Sequence, residues 1–531
     1  MRRSILFKFL QSMLQRLLQP IEGVFSAVFT AACNPFYNLG ALTIFFFWVV
    51  LVSGLYVFVL FKTSVFGAYQ SVEYMTHQQW YLGGVMRSLH RYASDAAIIT
   101  ILLHMLREFA GNRYRGPRWF SWFTGIPLLW LVFPLGITGY WLVWDQLAQY
   151  IAIASSELLD ALPIFTDPMA RNFLSPESLS DRFFTLMAFL HLIGLPIFLV
   201  FGIWFHLLRV SRPTVNPPRA LMIGSLLMLF VLALLWPALS QGPADLNIVP
   251  ASLGLDWFYM PVYPLLDYGS PKLVWSLLVG SSMFFSIMPW LPRRKRAAVA
   301  VVDLDNCNGC GRCVEDCPYN AVTMMPRSDG QYFAQEAVVN NDLCVSCGIC
   351  AGACPTATPY RRKSDLVPGI QLPDQTIAAL REQTVRAAAA LHGSARVIVY
   401  GCDSGPDLEA LREDGVAVVR MPCVAMLPPS FIDFVLSRQH VEGVLLAGCR
   451  EHDCHFRFGV EWTELRLNGQ RDPFLRKRVP RERIAQCWAG VGAPGEVRQA
   501  LMALRERLVT LPVMRAHGAV SARTTEASVD D

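Results

Sequence analysis

Eight of the 14 cysteines form two runs of identical spacing. Each run has gaps of two, two and three residues and ends in Cys-Pro; the runs are Cys307, Cys310, Cys313 and Cys317, then Cys344, Cys347, Cys350 and Cys354. Thiolates at this spacing bind 4Fe-4S clusters, and the fourth cysteine of each run ligates the other cluster. The spacing therefore predicts one cluster on Cys307, Cys310, Cys313 and Cys354, and a second on Cys344, Cys347, Cys350 and Cys317. A zinc ribbon uses two Cys pairs per metal, and a cytoplasmic location disfavours disulfides, so both alternatives are weaker.

Four later cysteines stand near segments with the composition of β-strands. They are Cys402, Cys423, Cys449 and Cys454. The carboxyl ends of parallel strands meet at one edge of a sheet, which is a usual place for a site. We expect these four thiolates to hold one 2Fe-2S cluster there, with zinc as the alternative.

Two apolar segments each carry two histidines at nearly equal spacing. His90 and His104 are fourteen residues apart, and His191 and His206 are fifteen apart. Either spacing is about four helical turns, so both imidazoles of a segment face the same way, about 21 Å apart along the axis. We predict two b haems, one on an outer pair (His90 and His191) and one on an inner pair (His104 and His206). A separate interhelical hydrogen bond from each histidine is the alternative.

Glycines and arginines near these histidines fit the same interpretation. Gly40 and Gly54 are fourteen residues apart, as are Gly125 and Gly139. A residue without Cβ lets a macrocycle lie flat against a helix, although helix–helix packing also uses glycine. Basic side chains flank the ligands and are predicted to pair with haem propionates, with anchoring at the membrane interface as the alternative. These side chains are Arg87, Arg91 and Arg107.

The elements that must position these residues are apolar helices. The 531 residues are 53% hydrophobic and only 16% charged, which excludes a disordered or purely nucleic-acid-binding chain. Six segments reach the length of about 20 residues that a membrane span needs. They lie near 41–62, 88–109, 122–144, 183–208, 219–239 and 271–291. Residues 1–30 are predicted to form an amphipathic helix on the membrane surface.

Loop charges predict the orientation of these spans. Basic residues occupy the loops after the second and fourth spans and follow the last span; they include Arg113, Arg115, Arg118, Arg209, Arg212 and Arg293–Arg296. The opposite loops are acidic and contain Glu157, Asp160, Asp167, Glu177 and Asp181. Because basic loops stay in the cytoplasm, both termini and the cysteine-rich part are expected there, at the inner membrane. The net charge of +5 thus lies at membrane edges and indicates no nucleic-acid partner.

The histidine region resembles the b-type cytochrome of the bc1 and b6f complexes. The resemblance rests on Arg87-Ser-Leu-His90-Arg91, His104-Met-Leu-Arg107 and Thr138-Gly-Tyr-Trp-Leu-Val-Trp-Asp-Gln146, and it covers roughly residues 30–215. It implies a four-helix bundle with two b haems, quinone as redox partner, and a homodimer or larger complex. Asn38 stands where the b6f protein has the cysteine of an additional c-type haem, so no covalent haem is expected.

A loop before the last predicted span is similar to the Pro-Glu-Trp-Tyr quinol-site motif of that family. It reads Asp256-Trp-Phe-Tyr-Met-Pro261, with Asp256 at the place of the glutamate. A carboxylate there could exchange a proton with a quinone oxygen. An ordinary solvated loop acid is the alternative.

The cysteine-rich part resembles two further families. The two runs are similar to a bacterial two-cluster ferredoxin, and residues 396–510 are similar to the delta subunit of methyl-viologen-reducing hydrogenase. The delta-subunit family passes electrons between an iron–sulfur donor and a flavoprotein. It starts with Cys-x-x-Cys, whereas Cys402 is followed by Asp-Ser-Gly405, so one thiol is missing.

The predicted fold is therefore multi-domain: a transmembrane helical bundle of about six spans with a cytochrome b-like four-helix haem core, an α+β ferredoxin-like domain, and a small α/β domain with a parallel sheet. The predicted boundaries are 1–30 for the surface helix, 31–215 for the haem domain, 216–296 for two further spans, 297–360 for the ferredoxin domain, 361–395 for a linker and helix, 396–510 for the α/β domain and 511–531 for a disordered tail.

These parts together predict a membrane-bound electron-transfer subunit, the redox component of a quinone-linked oxidoreductase. Electrons would pass from a cytoplasmic flavoprotein, dehydrogenase or heterodisulfide-reductase-like subunit through the 2Fe-2S and two 4Fe-4S clusters to the inner haem, and then to quinone or the outer haem. Reverse flow from quinol to a low-potential acceptor is one alternative. A redox sensor or assembly scaffold without turnover is another.

Overall fold

The computed structural model describes residues 2–512 apart from 165–167, 169–171, 173, 176–177, 211–212, 292–296, 362–365 and 440. The chain folds as two compact units, Met1–Arg293 and Arg294–Asp531. Several residues used for the orientation (Asp167, Glu177, Arg212 and Arg293–Arg296) lie outside the described residues, as does the predicted tail over 513–531.

The first unit is helical. Its main helices are α1 (Arg2–Phe29), α2 (Leu39–Leu60), α3 (Gly67–Glu73), α4 (Val85–Ala110), α5 (Trp119–Val143), α6 (Gln146–Asp160), α7 (Asp181–Leu207), α8 (Arg219–Leu235), α9 (Tyr263–Tyr268) and α10 (Pro271–Ile287). Five of the predicted spans match these helices closely, whereas the segment predicted at 219–239 ends as a helix at Leu235.

Four helical segments of the described chain are long and apolar enough to cross a membrane. They are Leu39–Leu60, Gly116–Val143, Asp181–Leu207 and Pro271–Trp290. The helix α4 is long but carries charged residues such as Asp95 and Glu108, and α8 has only 17 residues. Sequence reasoning missed α6, which begins after Trp144 takes a left-handed backbone conformation and Asp145 accepts a hydrogen bond from the backbone N–H of Ala148.

The second unit combines short antiparallel pairs with a parallel sheet. Its strands are β1 (Val301–Val302), β2 (Val322–Pro326), β3 (Gln335–Val339), β4 (Ile370–Gln371), β5 (Val397–Cys402), β6 (Val416–Met421), β7 (Gly443–Gly448) and β8 (Ile484–Trp488). Its helices are α11 (Arg312–Glu315), α12 (Ile349–Ala353), α13 (Ile377–Ala389), α14 (Ser430–Arg438), α15 (Gly459–Leu467) and α16 (Pro494–Thr510). The last four strands form one parallel sheet in the order β6-β5-β7-β8, as the alternating β-branched and helical segments predict.

One hydrophobic core runs through both the cysteine-rich part and the parallel-sheet part of the second unit. It includes Cys350 and Ile349 from the former, and Tyr400, Cys423 and Phe431 from the latter. The opposite face of the sheet packs on α16 through residues such as Leu501 and Leu504. The two parts are therefore joined by shared packing rather than only by the linker.

Candidate functional site

The outer pair of histidines is brought face to face. His90 lies on α4, and His191 lies on a π-helical turn of α7, Leu190–Gly194. Their ring centroids are 6.2 Å apart, with the ring planes at 67°. Two imidazoles on opposite sides of one metal ion place their centroids about 6 Å apart, because each metal–nitrogen bond is about 2 Å long and each nitrogen lies about 1 Å from the centroid of its ring. The spacing of the two rings thus fits a shared iron.

Hydrogen bonds hold both imidazoles in one orientation. The Nδ1–H of His90 donates to the carbonyl of Val50 over 2.9 Å, and that of His191 donates to the carbonyl of Leu135, also over 2.9 Å. A carbonyl only accepts, so the proton of each ring is on Nδ1. The lone pair of Nε2 is then free to bind a metal, in the tautomer that axial ligands need.

The four predicted glycines lie against the four histidine rings. A Cβ on Gly54 would be 2.7 Å from Cε1 of His90, and one on Gly139 would be 2.8 Å from Cε1 of His191. Gly54 follows Val50 by four residues, and Gly139 follows Leu135 by four, so each glycine uncovers the carbonyl that its histidine uses. The glycines were predicted to accommodate a macrocycle; in the structure, the side chains they accommodate are the imidazoles.

The glycines of the inner pair also lie against the imidazoles, with looser packing. A Cβ on Gly40 would be 3.5 Å from Cε1 of His104, and one on Gly125 would be 3.4 Å from Cε1 of His206. Both distances are ordinary van der Waals contacts. The Thr124 hydroxyl oxygen lies 3.1 Å from Nδ1 of His206.

Sequence reasoning missed a hydroxyl residue immediately before three of these glycines. Ser53, Thr124 and Thr138 place their oxygens 3.4, 3.1 and 3.3 Å from Nδ1 of His90, His206 and His191. Each hydroxyl donates its own proton to a carbonyl in its own helix, so its lone pairs can accept from the imidazole. The repeated Ser-Gly or Thr-Gly dipeptide was the available signal.

A cavity of about 400 Å³ surrounds the outer pair. Both rings line it, together with Gly54, Gly139 and the arginine Arg87. The same cavity extends to Asp256 and Tyr259 in the loop between α8 and α9. A flat ligand between the rings and a second ligand near Asp256 would therefore occupy one continuous space.

The three arginines predicted to bind propionates have different surroundings. Arg87 lines the cavity and donates to the hydroxyls of Ser240, over 2.8 Å, and of Thr76. Arg91 also lines the cavity, but it binds Asp256 over 2.8 Å and Asp95 over 3.1 Å.

Arg107 does not line that cavity, and it forms an ion pair. Its Nε is 2.8 Å from a carboxylate oxygen of Glu22 on α1, and its guanidinium lies over the ring of Tyr37. Glu22 was not singled out from the sequence. Arg87 is thus the predicted arginine whose hydrogen-bond partners are neutral hydroxyls, and a carboxylate oxygen of Glu73 lies farther away, 3.8 Å from its Nη1.

Asp256 is buried, with 6% of its surface exposed. It accepts hydrogen bonds from the Tyr140 hydroxyl and from the backbone N–H of Phe258, and it is ion-paired with Arg91. The alternative of a solvated loop acid is therefore wrong, because helix contacts enclose the carboxylate on the cavity wall.

In the second unit, the eight cysteines of the two runs line two separate cavities. Cys307, Cys310, Cys313 and Cys354 line one cavity. Cys317, Cys344, Cys347 and Cys350 line the other. These are the two predicted ligand sets, including the exchange of the fourth cysteine between the runs. Within the described ranges, no three His, Cys, Asp or Glu side chains are arranged to hold a single metal ion.

Backbone N–H donors and burial at these cavities are consistent with cysteine thiolates bound to a metal centre. The backbone N–H of Ala321 donates to Cys317 Sγ over 3.2 Å, and that of Ala300 donates to Cys344 Sγ over 3.5 Å. Burial, and then the neighbouring Cys310, raises the pKa of Cys313 to about 12. A buried thiolate of this kind needs the positive charge of a metal centre, so the donor set fits iron–sulfur clusters.

The four later cysteines also come together, at the carboxyl edge of the parallel sheet. Cys402 ends β5, whereas Cys423 follows β6 and Cys449 follows β7. The backbone N–H of Val424 donates to Cys402 Sγ over 3.1 Å. Gly459, the first residue of α15, lies against the sulfurs of Cys423 and Cys454, so the fourth cysteine belongs to the same cluster of thiols.

Comparisons with known proteins agree with this division of the chain. The family model "Cytochrome b/b6/petB" matches residues 24–213, "4Fe-4S dicluster domain" matches 306–358, and "Methyl-viologen-reducing hydrogenase, delta subunit" matches 409–511. The chain contains these three domains, in this order. The third match begins after Cys402.

The cytochrome b/b6 domain has curated relatives. Cytochrome b6 of Synechococcus sp. (strain CC9605) is 28% identical over 35% of this chain and 84% of that protein. Cytochrome b6 of Prochlorococcus marinus (strain MIT 9303) is 29% identical over 35% of this chain and 84% of that protein. A solved structure titled "Hyperthermophilic respiratory Complex III" is 18% identical with a TM-score of 0.40, covering 48% of this chain and 75% of that one.

These domains establish the general character of the protein. It is a membrane electron-transfer subunit with a cytochrome b/b6 domain, which implies haem b, and a dicluster domain, which implies 4Fe-4S clusters. The delta-subunit domain is typical of a multi-subunit redox complex.

Proposed function

We propose that this subunit carries electrons between a cytoplasmic flavin- or iron–sulfur-containing oxidoreductase and the quinone pool. The observation that carries the proposal is the single cavity that contains both the His90–His191 pair and Asp256. A haem ligand pair and a buried carboxylate in one space allow electron and proton exchange with the same small molecule.

In this proposal, each histidine pair holds one haem b, and the three cysteine sites hold two 4Fe-4S clusters and one 2Fe-2S cluster. The bound groups supply one-electron acceptance and release. The protein fixes the tautomer of His90 and His191 through the carbonyls of Val50 and Leu135. Arg87 lines the cavity, donates to hydroxyls and has its ion-pair partner Glu73 at the longer distance of 3.8 Å, so it is the best placed of the three arginines to bind a propionate of the outer haem.

The order of the cysteine sites supports a route through the second unit. Gly348 and Gly352, beside Cys347 and Cys350, lie against Met426 and Ala425, which follow Cys423. The site of Cys402, Cys423, Cys449 and Cys454 therefore adjoins the site of Cys317, Cys344, Cys347 and Cys350. The site of Cys307, Cys310, Cys313 and Cys354 comes next, and its Cys310 is exposed.

Asp256 has the position of a group that exchanges a proton with quinone. A quinone takes up two protons when it is reduced and a quinol loses two when it is oxidised, and a buried carboxyl group on the cavity wall can supply or take one of them. Arg91 holds Asp256 in place and is shared with Asp95. The Tyr140 hydroxyl, which donates to Asp256, completes the contacts of the carboxylate.

We place the second unit and both termini in the cytoplasm, where soluble partners are available, because the basic loops favour that orientation. The partner is a flavoprotein, dehydrogenase or heterodisulfide-reductase-like subunit that binds the second unit. A homodimer through the cytochrome b/b6 domain is also part of the proposal.

The test is purification of the full chain from its native membranes, with whatever co-purifies identified. We expect about two haems b and about ten non-haem iron atoms per chain. The dithionite-reduced protein should show b-type absorbance that a quinone analogue reoxidises. Zinc without haem would overturn the proposal, and haems that quinone leaves reduced would favour a sensor or scaffold.

The direction of flow is tested by redox titration of the haems against the clusters. Clusters of lower potential than the haems are expected for flow towards quinone. Clusters of higher potential than the haems, or reduction of a low-potential acceptor by quinol that requires a membrane potential, would instead support the reverse direction.

A further inference from the structure

One buried arginine lies between two of the cysteine sites in the second unit. It is Arg466, on α15, and 1% of its surface is exposed. The same helix begins at Gly459, which lies against the sulfurs of Cys423 and Cys454. Two helical turns therefore separate the later cysteine site from a fully buried positive charge.

The Arg466 guanidinium contacts three chain segments, and each of them carries cysteine ligands. Nη1 donates to the carbonyl of Ala425, two residues after Cys423, over 2.7 Å. Nη2 is ion-paired with Asp316, which lies between Cys313 and Cys317.

A third, longer contact joins Nη2 to the carbonyl of Ile349, between Cys347 and Cys350, over 3.5 Å. One side chain thus links the ligand loops of both predicted cubane sites and the later site.

The backbones of these segments touch at the same place. A Cβ on Gly352 would overlap the carbonyl oxygen of Ala425, and one on Gly348 would be 2.7 Å from Met426 Sδ. Larger residues at either glycine would separate α12 from the loop after Cys423. Close approach of the two sites therefore depends on two glycines, and Arg466 bonds the segments together beside them.

The charges around Arg466 leave an excess of positive charge. Asp316 is ion-paired with both Arg466 and Arg471, and its side chain is 3% exposed. Arg471 stacks on the ring of Trp462, whose indole N–H donates to the carbonyl of Asp316. Farther out, Arg312 and Asp472 form a pair with a separation of 2.8 Å. Two guanidiniums thus share one carboxylate at the centre.

We propose that Arg466 is a positioning residue for electron transfer between the site of Cys402, Cys423, Cys449 and Cys454 and the site of Cys317, Cys344, Cys347 and Cys350. It fixes the spacing of the two sites and raises the reduction potential of both. The inference rests on the proposed function, because it takes both sites to hold clusters. One electron leaves one cluster and enters the other, with no bond or proton changing place.

The physical reason is electrostatic. Reduction adds one negative charge to a cluster, and a positive charge in a buried, weakly screening region stabilises that reduced form. Removing Arg466 takes this stabilisation away and leaves Asp316 with one partner fewer. Removing the charge of Asp316 has the opposite effect, because the two arginines then act without compensation.

The test uses the full chain with its clusters, in Arg466→Met, Arg466→Lys and Asp316→Asn variants. Cluster potentials are measured by EPR-monitored redox titration, and iron per chain is measured beside them. We expect lower potentials in Arg466→Met, higher potentials in Asp316→Asn, and wild-type iron content in Asp316→Asn. Lysine keeps the charge, so Arg466→Lys should recover most of the shift seen with methionine.

Arg476→Met is the matched control. Arg476 is half-exposed and shares Asp433 with Arg478, so its loss should leave every potential unchanged. Shifts of the same sign in Arg466→Met and Asp316→Asn, or no shift in either, would overturn the inference. If the methionine variant does not fold, the other two variants still test the inference: the cluster potentials should rise in Asp316→Asn and stay close to wild type in Arg466→Lys. Absence of clusters in the wild-type protein would instead refute the proposed function.

Discussion

Gly54 lies directly against the imidazole of His90, and a Cβ at that position would be 2.7 Å from the ring carbon Cε1. That distance is too short for real carbon atoms, so the ring has its observed place only because residue 54 has no side chain. Gly139 and His191 repeat this relationship at 2.8 Å. The inner pair shows ordinary contact instead.

The first prediction follows from this difference. Gly54→Ala and Gly139→Ala should each displace a histidine and remove about half of the haem, whereas Gly40→Ala and Gly125→Ala should retain most of it. Haem per chain and reduced-minus-oxidised spectra measure the effect. Gly224→Ala is the control, since nothing lies within 4 Å of a Cβ there. Equal haem loss in all four variants would contradict the difference between the pairs.

The second prediction concerns the histidines themselves. His191→Ala and His206→Ala should each remove one haem and leave the other, because in the proposed arrangement each pair holds its own iron. The reduced-minus-oxidised absorbance spectra of the two variants should therefore differ from each other, and their sum should reproduce the wild-type spectrum. His77→Ala is the control, since His77 is exposed, lies 3.1 Å from a carboxylate oxygen of Glu73 and does not line the cavity of the outer pair. A wild-type spectrum in either test variant would refute haem ligation by that pair.

The third prediction tests the exchange of the fourth cysteine between runs. Cys354→Ser should weaken or abolish the same EPR signal as Cys313→Ser, since both side chains line one cavity. Cys317→Ser should instead affect the signal lost in Cys347→Ser. Cys487→Ser, on β8, is the control and should keep both signals. If the two single variants Cys313→Ser and Cys317→Ser instead lost the same EPR signal, each run would hold its own cluster.

The fourth prediction concerns Asp256. Asp256→Asn should slow quinone-dependent reoxidation of the haems by about 10²-fold or more, because the amide cannot supply the proton that the quinone takes up when it is reduced. Haem content should stay at the wild-type value, since Arg91 keeps its ion pair with Asp95. Asp267→Asn is the control, because Asp267 accepts a hydrogen bond from Tyr150 outside this cavity's lining. Unchanged reoxidation in Asp256→Asn would exclude its proposed role.

Much of the candidate site could be predicted from the sequence, because its signals are local or periodic. The gaps within the cysteine runs reflect how closely neighbouring thiolates surround a cluster. The intervals from His90 to His104 and from His191 to His206 reflect the pitch of a helix. The strand composition before Cys402 and Cys423 also placed these thiols at one sheet edge, where the structure brings them together.

Only the tertiary structure decided which groups surround these ligands. The contacts of His191 with Leu135, of Arg107 with Glu22 and of Arg466 with Asp316 join residues far apart in the chain. Such contacts leave no spacing pattern, because a hydrogen bond or ion pair depends on how helices and loops pack and not on the interval between its residues. The same reason explains Asp256: its motif suggested either a group that exchanges a proton with quinone or a solvated acid, and burial beside Arg91 excludes the solvated acid.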